Sequence, residues 1–245
     1  MGIENIKVGD TNIRVGFRFG DLGFTKLFPK ADTNTIDAVL DVNVGFYLDG
    51  SPIPPDFNGY RMEILVGDDF GINIYNVMRY IGYLAGNVSE KYRFCHGAGL
   101  VLDGKGIMLT GKSGRGKSTL SSSLEGDVLD DDMLLVSPTE IRRLGNIGAR
   151  RNQETRRIEW LENDNYKAPL HYVFVLNNQY DPDHVVQLQP EDIKPKITFD
   201  DKLHACLLAK YKSRMPIQFE VPIYEIGTKR EPAETKKVIE AIISK

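Results

Sequence analysis

Apolar and polar side chains alternate along three stretches of the first seventy residues. The alternation runs from Asn12 to Phe19, from Val39 to Val44 and, less strictly, from Tyr60 to Val66. A period of two is typical of a strand that buries one face. We therefore predict three half-buried strands, with a proline- and glycine-rich loop over residues 50–59 between the second and the third.

The spacing of apolar residues becomes helical between Ile72 and Leu84. Gly86 is the predicted end of this helix, and one face of it collects Ile74, Tyr75, Met78 and Ile81. We interpret that face as core. Residues 1–90 are thus predicted to form a mainly β N-terminal portion that packs on the rest of the chain.

Two short apolar runs follow between Phe94 and Thr110, and the dipeptide Asp103-Gly104 joins them. Asp-Gly between such runs is a strong signal for a β-hairpin. The second run would then have an antiparallel neighbour directly before it in the chain, which a purely parallel nucleotide-binding sheet does not have. The pattern predicts a mixed sheet.

A phosphate-binding motif comes directly after the hairpin. Residues 111–118 fit the P-loop pattern of Gly, four residues and Gly-Lys-Ser, with a strand before them and a helix-forming run, Ser118 to Leu124, after them. Glycines let such a loop turn tightly and aim its N–H groups at phosphate oxygens, while the lysine neutralises the phosphates and the serine hydroxyl binds Mg²⁺. The predicted nucleotide contacts are Gly111, Lys112, Ser113, Gly114, Arg115, Gly116, Lys117, Ser118 and Thr119.

An acidic cluster follows the P-loop helix. The short strand Asp127-Val128-Leu129 leads into Asp130-Asp131-Asp132. Adjacent carboxylates are costly unless a cation lies among them, and a Mg²⁺-phosphate complex would supply one. Alternate residues of a strand face opposite ways, so the three cannot enter one site equally. A solvated acidic turn is the alternative, but the nearby P-loop favours metal binding or proton abstraction.

Composition narrows the class of protein. The 245 residues are 41% hydrophobic and 27% charged, which allows a sizeable core. A net charge of -3 without a long block of one sign argues against a nucleic-acid partner, and the longest apolar runs are too short for a membrane helix. The two cysteines, Cys95 and Cys206, lack metal-type spacing, and the N-terminus lacks a signal pattern. We expect a cytoplasmic protein.

Taken together, these residues resemble one known family. The series of His96-Gly97, the hairpin, Gly111 to Ser118, a short helix and Leu129 to Asp132 is similar to the catalytic core of HPr kinase/phosphorylase and its shorter relatives. This P-loop group also contains the phosphoenolpyruvate carboxykinases. The resemblance is specific over residues 94–136. It implies an α/β P-loop kinase domain with a mixed sheet over residues 91–245, in a short form without the full-length two-domain plan.

The same resemblance implies roles for individual residues. Lys117 would bind phosphate, Asp131 would be the general base toward a seryl hydroxyl, and His96 would lie beside the transferred phosphate. The metal ligands would be Ser118, Asp132 and Glu154. Homo-oligomeric assemblies are also implied. The reverse phosphorylase reaction and HPr as the acceptor stay open, because the glycine-rich segment that follows the acidic pair in the bifunctional enzymes is not found in this sequence.

Six arginines lie in the segment from Glu140 to Glu162. A solvated face with ion pairs is the commoner meaning of such a segment. The alternative is a loop that supplies an arginine to the γ-phosphate or to an acidic acceptor, and Arg150, Arg151 and Arg156 remain open as candidates.

The C-terminal third alternates between predicted strands and helices. The strands are Leu170 to Leu176, Val185 to Leu188 and Phe219 to Ile226, and Pro222 indicates an edge or a bulge in the last one. The helices are Lys202 to Tyr211 and a terminal helix from Pro232. His171, His184 and His204 are not spaced as a metal set.

The predicted function is Mg²⁺- and ATP-dependent transfer of the γ-phosphate to a hydroxyl group. A serine of a protein or peptide is the first acceptor, and a small-molecule alcohol is the second. Two alternatives remain, a non-catalytic nucleotide-binding regulatory module and a carboxykinase-like enzyme.

Overall fold

The computed structural model describes residues 2–17, 24–32, 34–45, 61–65, 70–112, 114–152, 155, 158–161, 165–189, 217–229 and 232–244. The described helices are α1 (Phe24–Leu27), α2 (Phe70–Val88), α3 (Lys117–Ser123) and α4 (Pro232–Ile243). The described strands are β1 (Gly2–Val8), β2 (Thr11–Phe17), β3 (Ala38–Gly45), β4 (Arg61–Leu65), β5 (Arg93–Cys95), β6 (Gly97–Leu102), β7 (Lys105–Thr110), β8 (Asp127–Asp130), β9 (Leu134–Val136), β10 (Glu140–Arg143), β11 (Gly148–Arg151), β12 (Ile158–Leu161), β13 (Lys167–Asn177), β14 (Val185–Gln187) and β15 (Ile223–Gly227).

The N-terminal strands form a four-stranded sheet in the order β1-β2-β3-β4. Strands β1 and β2 are antiparallel, whereas β2 pairs with β3 and β3 with β4 in parallel. Ile13 and Val15 of β2 are buried, as their alternation with polar residues predicted. The three predicted strands are confirmed as β2, β3 and β4, β1 was not predicted, and the predicted loop over residues 50–59 lies outside the described residues.

A second, larger sheet mixes parallel and antiparallel strands, which confirms the predicted mixed α/β class. Its main order is β5-β9-β10-β13-β7-β6-β8, with β15 also on β13 and β14 on β15. The predicted hairpin is confirmed, since β6 and β7 pair around Asp103 and Gly104. Both turn residues have positive φ, 50° and 74°, which matches the twist of a two-residue hairpin.

The pairing of strand β6 determines which strand ends lie next to one another. The strand pairs antiparallel with β7 on one side and with β8 on the other, so β7 and β8 run in the same direction. The end of β7, the end of β8 and the start of β6 therefore lie at one edge of the sheet. In the register, Gly97 lies opposite Thr110, and Gly99 lies opposite Asp130. This edge brings together His96, the P-loop and the acidic cluster.

The C-terminal elements complete the larger sheet. Strand β13 is longer than predicted and pairs in parallel with both β7 and β15. Strand β15 is shorter than predicted and begins just after Pro222, between β13 and β14, so the proline does not mark an edge strand. The terminal helix is confirmed as α4, which buries Ile239 and Ile243. The predicted helix from Lys202 to Tyr211 lies outside the described residues.

Helix α2 joins the two sheets. It continues two residues beyond Gly86, so the predicted helix end was wrong. A Cβ at Gly86 would lie 2.3 Å from the backbone nitrogen of Phe94. Glycine is thus required for the close contact between α2 and β5. Met78 and Ile81 share one hydrophobic cluster with Phe94 and Leu135, and the predicted division of the chain at residue 90 remains a prediction.

None of the helices in the described ranges combines the length and the apolar character that crossing a membrane requires.

Gly86 lowers the helix propensity of α2, and it also permits the close contact between α2 and β5. Replacing Gly86 by alanine shows which of these two effects on stability is larger. If the residue only weakened the helix, Gly86→Ala would stabilise the protein by about 1 kcal/mol through helix propensity. Because the new methyl group would meet the Phe94 backbone, we expect a loss of about 1–3 kcal/mol instead, seen as a lower midpoint in urea denaturation. An unchanged or higher midpoint would contradict the close contact between α2 and β5.

Candidate active site

The P-loop follows β7 directly and has the backbone that phosphate binding requires. Gly111, Gly114 and Gly116 have φ angles of 139°, 77° and 87°, which L-residues with side chains rarely adopt. A Cβ at Gly111 would also lie 2.6 Å from the carbonyl oxygen of Leu176 on the neighbouring strand β13. The described part of the predicted loop therefore forms a tight turn at the sheet edge. Ser113 lies outside the described residues.

Lys117 lies inside this loop. Its side chain is only 6% exposed, and Nζ donates hydrogen bonds to the carbonyl oxygens of Gly111 at 2.9 Å and Lys112 at 3.3 Å. Burial lowers the pKa of Lys117, and the negative charges of Asp132 and Asp131 oppose that shift. Two members of the acidic cluster thus lie within electrostatic reach of the P-loop lysine.

Asp130 has a structural role. Its Oδ1 accepts the N–H groups of Asp132 at 3.0 Å and Met133 at 2.7 Å, and its Oδ2 accepts the N–H of Ala149 at 2.9 Å. Burial raises the pKa of Asp130 to about 8, and these backbone hydrogen bonds oppose the shift. Both oxygens of the side chain thus accept hydrogen bonds that fix the turn after β8 and the start of the β11–β12 hairpin.

Asp131 points toward helix α3. It is 2% exposed, and its Oδ1 accepts a hydrogen bond of 2.7 Å from the Ser121 hydroxyl. Its Oδ2 is buried and has no hydrogen-bond partner among the described residues. Burial raises the pKa of Asp131, and the hydroxyls of Ser121 and Ser118 oppose the rise. One buried oxygen of Asp131, next to the serines of α3, therefore has no hydrogen-bond partner among the described residues.

Asp132 points the other way and is held by two side chains. His96 Nδ1 lies 2.5 Å from its Oδ1, and the Tyr75 hydroxyl of α2 donates to its Oδ2. Burial favours a higher pKa for Asp132, but the contacts with His96, the charge of Arg79 and the Tyr75 hydroxyl outweigh it and hold the pKa below its usual value. These contacts therefore favour the ionised form of Asp132.

Some arginines of the segment from Glu140 to Glu162 make structural contacts, and another lies near the acidic cluster. Arg142 lies over the Tyr92 and Tyr166 rings, and the Arg143 guanidinium donates to the carbonyl oxygen of Gly145. Arg150 lies on β11 beside α3, and its charge acts on Asp131. Its guanidinium bonds Glu159 Oε2 at 3.0 and 3.2 Å and the Ser122 hydroxyl at 3.4 Å. Arg156 and the side chain of Arg151 lie outside the described residues.

The predicted metal ligands are only partly placed. Ser118 and Asp132 both influence the pKa of Asp131, whereas Glu154 is outside the described residues. Within the described ranges, no group of three His, Cys, Asp or Glu residues could hold a metal ion by itself. A bound nucleotide supplies oxygen ligands of its own, so Mg²⁺ at such sites needs only one or two protein carboxylates. The set of three metal ligands stays a prediction.

An open cavity of about 250 Å³ adjoins the outer side of the P-loop. The loop residues Arg115 and Gly116 form one wall, and Leu120 of α3, Thr228, Lys229 and Thr235 form the others. The Thr228 hydroxyl donates to the carbonyl oxygen of Arg115 at 3.2 Å, and Arg115 Nη1 donates to Asn177 Oδ1 at 3.3 Å. These bonds attach the loop to the ends of β13 and β15, so the cavity wall is fixed.

Two residues of this arrangement were missing from the sequence prediction. Tyr75 was assigned to the core face of its helix, and Ser121 to the helix after the P-loop. For Tyr75 the available signal was a hydroxyl on a predicted buried face, because a buried tyrosine usually needs a hydrogen-bond partner. For Ser121 it was the spacing of three residues from Ser118, which places both hydroxyls on one side of α3.

Comparisons with known proteins give a distant match only. No family model matches the sequence, and no curated protein matches it. Among solved structures, the HPr(Ser) kinase/phosphatase from Coxiella burnetii aligns over 62% of this chain and 91% of its own, with 16% sequence identity and a TM-score of 0.37. That similarity is a distant fold relation, so the chemistry must be argued from the site itself.

Proposed function

We propose that this chain is a phosphotransferase that moves the γ-phosphate of ATP to a hydroxyl group. The observation that carries the proposal is Asp131, a buried carboxylate with one oxygen unpartnered among the described residues, beside the serines of a P-loop helix. A module that only bound nucleotide would not need a proton acceptor at this position. A general base within reach of the P-loop is what hydroxyl phosphorylation requires.

The reaction divides among the residues as follows. The N–H groups of the P-loop and Lys117 hold the phosphates and offset their charge. The acceptor hydroxyl approaches between the γ-phosphate and Asp131, and its proton passes to Asp131 Oδ2. The acceptor oxygen bonds to the γ-phosphorus while the bond to the β,γ-bridging oxygen breaks, and ADP leaves. His96 directly precedes β6. Its contact with Asp132 Oδ1 helps to keep Asp132 ionised.

The residues present also fit Mg²⁺ as the companion of the nucleotide. The Ser118 hydroxyl acts on Asp131, and Asp132 follows Asp131 directly in the same turn. Hydroxyl and carboxylate oxygens are the ligands that Mg²⁺ prefers. When bound, the ion would offset charge on the phosphate oxygens. Ser118 and Asp132 would hold it, with Glu154 as the third predicted ligand.

The cavity beside the P-loop is the proposed place for the nucleoside. It begins at Arg115 and Gly116 of the loop, and Leu120 gives it an apolar surface. A polyphosphate without a nucleoside would reach only the loop. This arrangement supports ATP, or another nucleoside triphosphate, over inorganic polyphosphate as the donor.

Asp131→Asn tests the assigned base. The amide keeps the shape of the side chain but cannot accept the proton, so we expect ATP affinity to change little and phosphate transfer to fall by at least about 100-fold. The matched control is Asp127→Asn at the exposed start of the same strand, which should keep the parent rate. Transfer by Asp131→Asn at the parent rate would refute the assignment. Tight ATP binding with no transfer to any acceptor by the parent would favour the regulatory module.

A comparison of ligands tests the nucleoside cavity. We expect calorimetry to give an ATP affinity at least about ten-fold above that of inorganic tripolyphosphate, a difference of ~1.4 kcal/mol. Lys229→Ala, at the cavity wall, should reduce this ratio, whereas Lys236→Ala on α4, paired with Glu125 outside the cavity, should not. Equal affinities for ATP and tripolyphosphate would place the nucleoside elsewhere.

The acceptor is proposed to be a serine of a protein or peptide, and this rests on the resemblance over residues 94–136. We expect label from the γ-phosphate of ATP to appear on seryl side chains when the chain is incubated with cell extract. Mass spectrometry of the labelled species would identify them. Label confined to a small molecule would support the alcohol as acceptor instead.

A further inference from the structure

Helix α2 presents polar side chains to the acidic turn, although it lies outside the stretch that resembles the kinase family. Tyr75 is only 6% exposed and donates its hydroxyl hydrogen bond to Asp132 Oδ2. Arg79 follows one turn later on the same helix face, and its charge acts on both Tyr75 and Asp132. The N-terminal portion therefore reaches directly into the site built by the P-loop core.

Asp132 is held from two sides by different parts of the chain. His96, between β5 and β6, contacts Oδ1, and Tyr75 of α2 contacts Oδ2. A single donor would leave the carboxylate free to turn about its Cβ–Cγ bond. A hydrogen bond on Oδ2 and a close contact on Oδ1 restrict that rotation, and the backbone of Asp132 is fixed separately by its N–H bond to Asp130. We call this pair of contacts, Tyr75 and His96 on Asp132, the Asp132 clamp.

We propose that Tyr75 is a positioning residue of the phosphotransfer site, acting through the Asp132 clamp. The inference rests on the proposed function. Tyr75 touches neither nucleotide nor acceptor. Its hydroxyl holds the Asp132 carboxylate in the orientation that the phosphate end of the site needs, next to Lys117, whose pKa Asp132 influences. Misplacement of such a group by about 1 Å can cost roughly 100-fold in rate.

The packing of α2 on β5 fixes the position of Tyr75. The helix is anchored on β5 at Gly86, where a Cβ would lie 2.3 Å from the Phe94 backbone, and by the Tyr83 and Phe94 rings, whose centroids are 4.4 Å apart. Strand β5 leads through His96 into β6. The same short stretch of chain therefore holds the helix that carries Tyr75 and supplies the second contact of the clamp.

Tyr75→Phe removes the hydroxyl and keeps the ring. We expect kcat for phosphate transfer to fall roughly 10–100-fold while the KM for ATP stays within about two-fold, because the P-loop contacts are untouched. Tyr83→Phe is the matched control, since it removes a hydroxyl from a buried tyrosine of the same helix and should keep the parent kcat. If Tyr75 had only a structural role, Tyr75→Phe would lower stability as Tyr83→Phe does. It would then not lower kcat at an unchanged KM.

A second measurement needs no turnover. In protein labelled with ¹⁵N-histidine, we expect Tyr75→Phe to shift the side-chain signals of His96, identified by their loss in His96→Asn, while Tyr83→Phe leaves them in place. Unchanged His96 signals together with the parent kcat would overturn the inference, and so would a rise in kcat, which would mean that the bond holds Asp132 away from the reaction. A parent without phosphate transfer would refute the proposed function, and the His96 signals would still decide whether the clamp exists.

Discussion

The arrangement of the site depends on one buried carboxylate that does no chemistry. Burying a polar carboxyl group is costly unless hydrogen bonds replace its hydration. Asp130 has three such bonds from backbone N–H groups, two within its own turn and one from Ala149 on β11. These bonds fix where the next two residues emerge from the end of β8, and they attach the hairpin that carries Arg150. Without this side chain, Asp131 and Asp132 would sit on a loop of undefined direction.

The site is assembled from four separate stretches of chain at one sheet edge. The P-loop follows β7, the acidic turn follows β8, His96 precedes β6, and Tyr75 comes from α2. The antiparallel position of β6 between two strands of equal direction explains the first three. The fourth depends on close packing of α2 against β5, which a glycine at position 86 permits. Hydrophobic packing of the N-terminal portion and polar geometry at the phosphate end are thus coupled.

Local signals in the sequence predicted much of this arrangement. The Asp103-Gly104 turn, the P-loop and the strand before the acidic cluster all depend on neighbouring residues, and the structure contains them as predicted. Strands β9 to β12 were not predicted, because each has only three or four residues, too few for an alternation of apolar and polar positions to show. In β10, buried Arg143 satisfies its guanidinium with a backbone carbonyl, so the period of two contains no apolar residue at that position. Tyr75 was missed for a similar reason, since its partner lies 57 residues later in the chain.

Asp131 and Asp132 are adjacent in sequence, yet their different environments shift their pKa values in opposite directions. The turn sends Asp131 toward the serines of α3, where burial dominates and raises the pKa. It sends Asp132 toward His96, Tyr75 and Arg79, where donors and positive charge outweigh burial and lower the pKa. Groups separated in this way can take opposite roles, one exchanging a proton while the other keeps its charge. In the proposed reaction, the direction of each side chain therefore suits Asp131 to accept the proton and Asp132 to keep its charge.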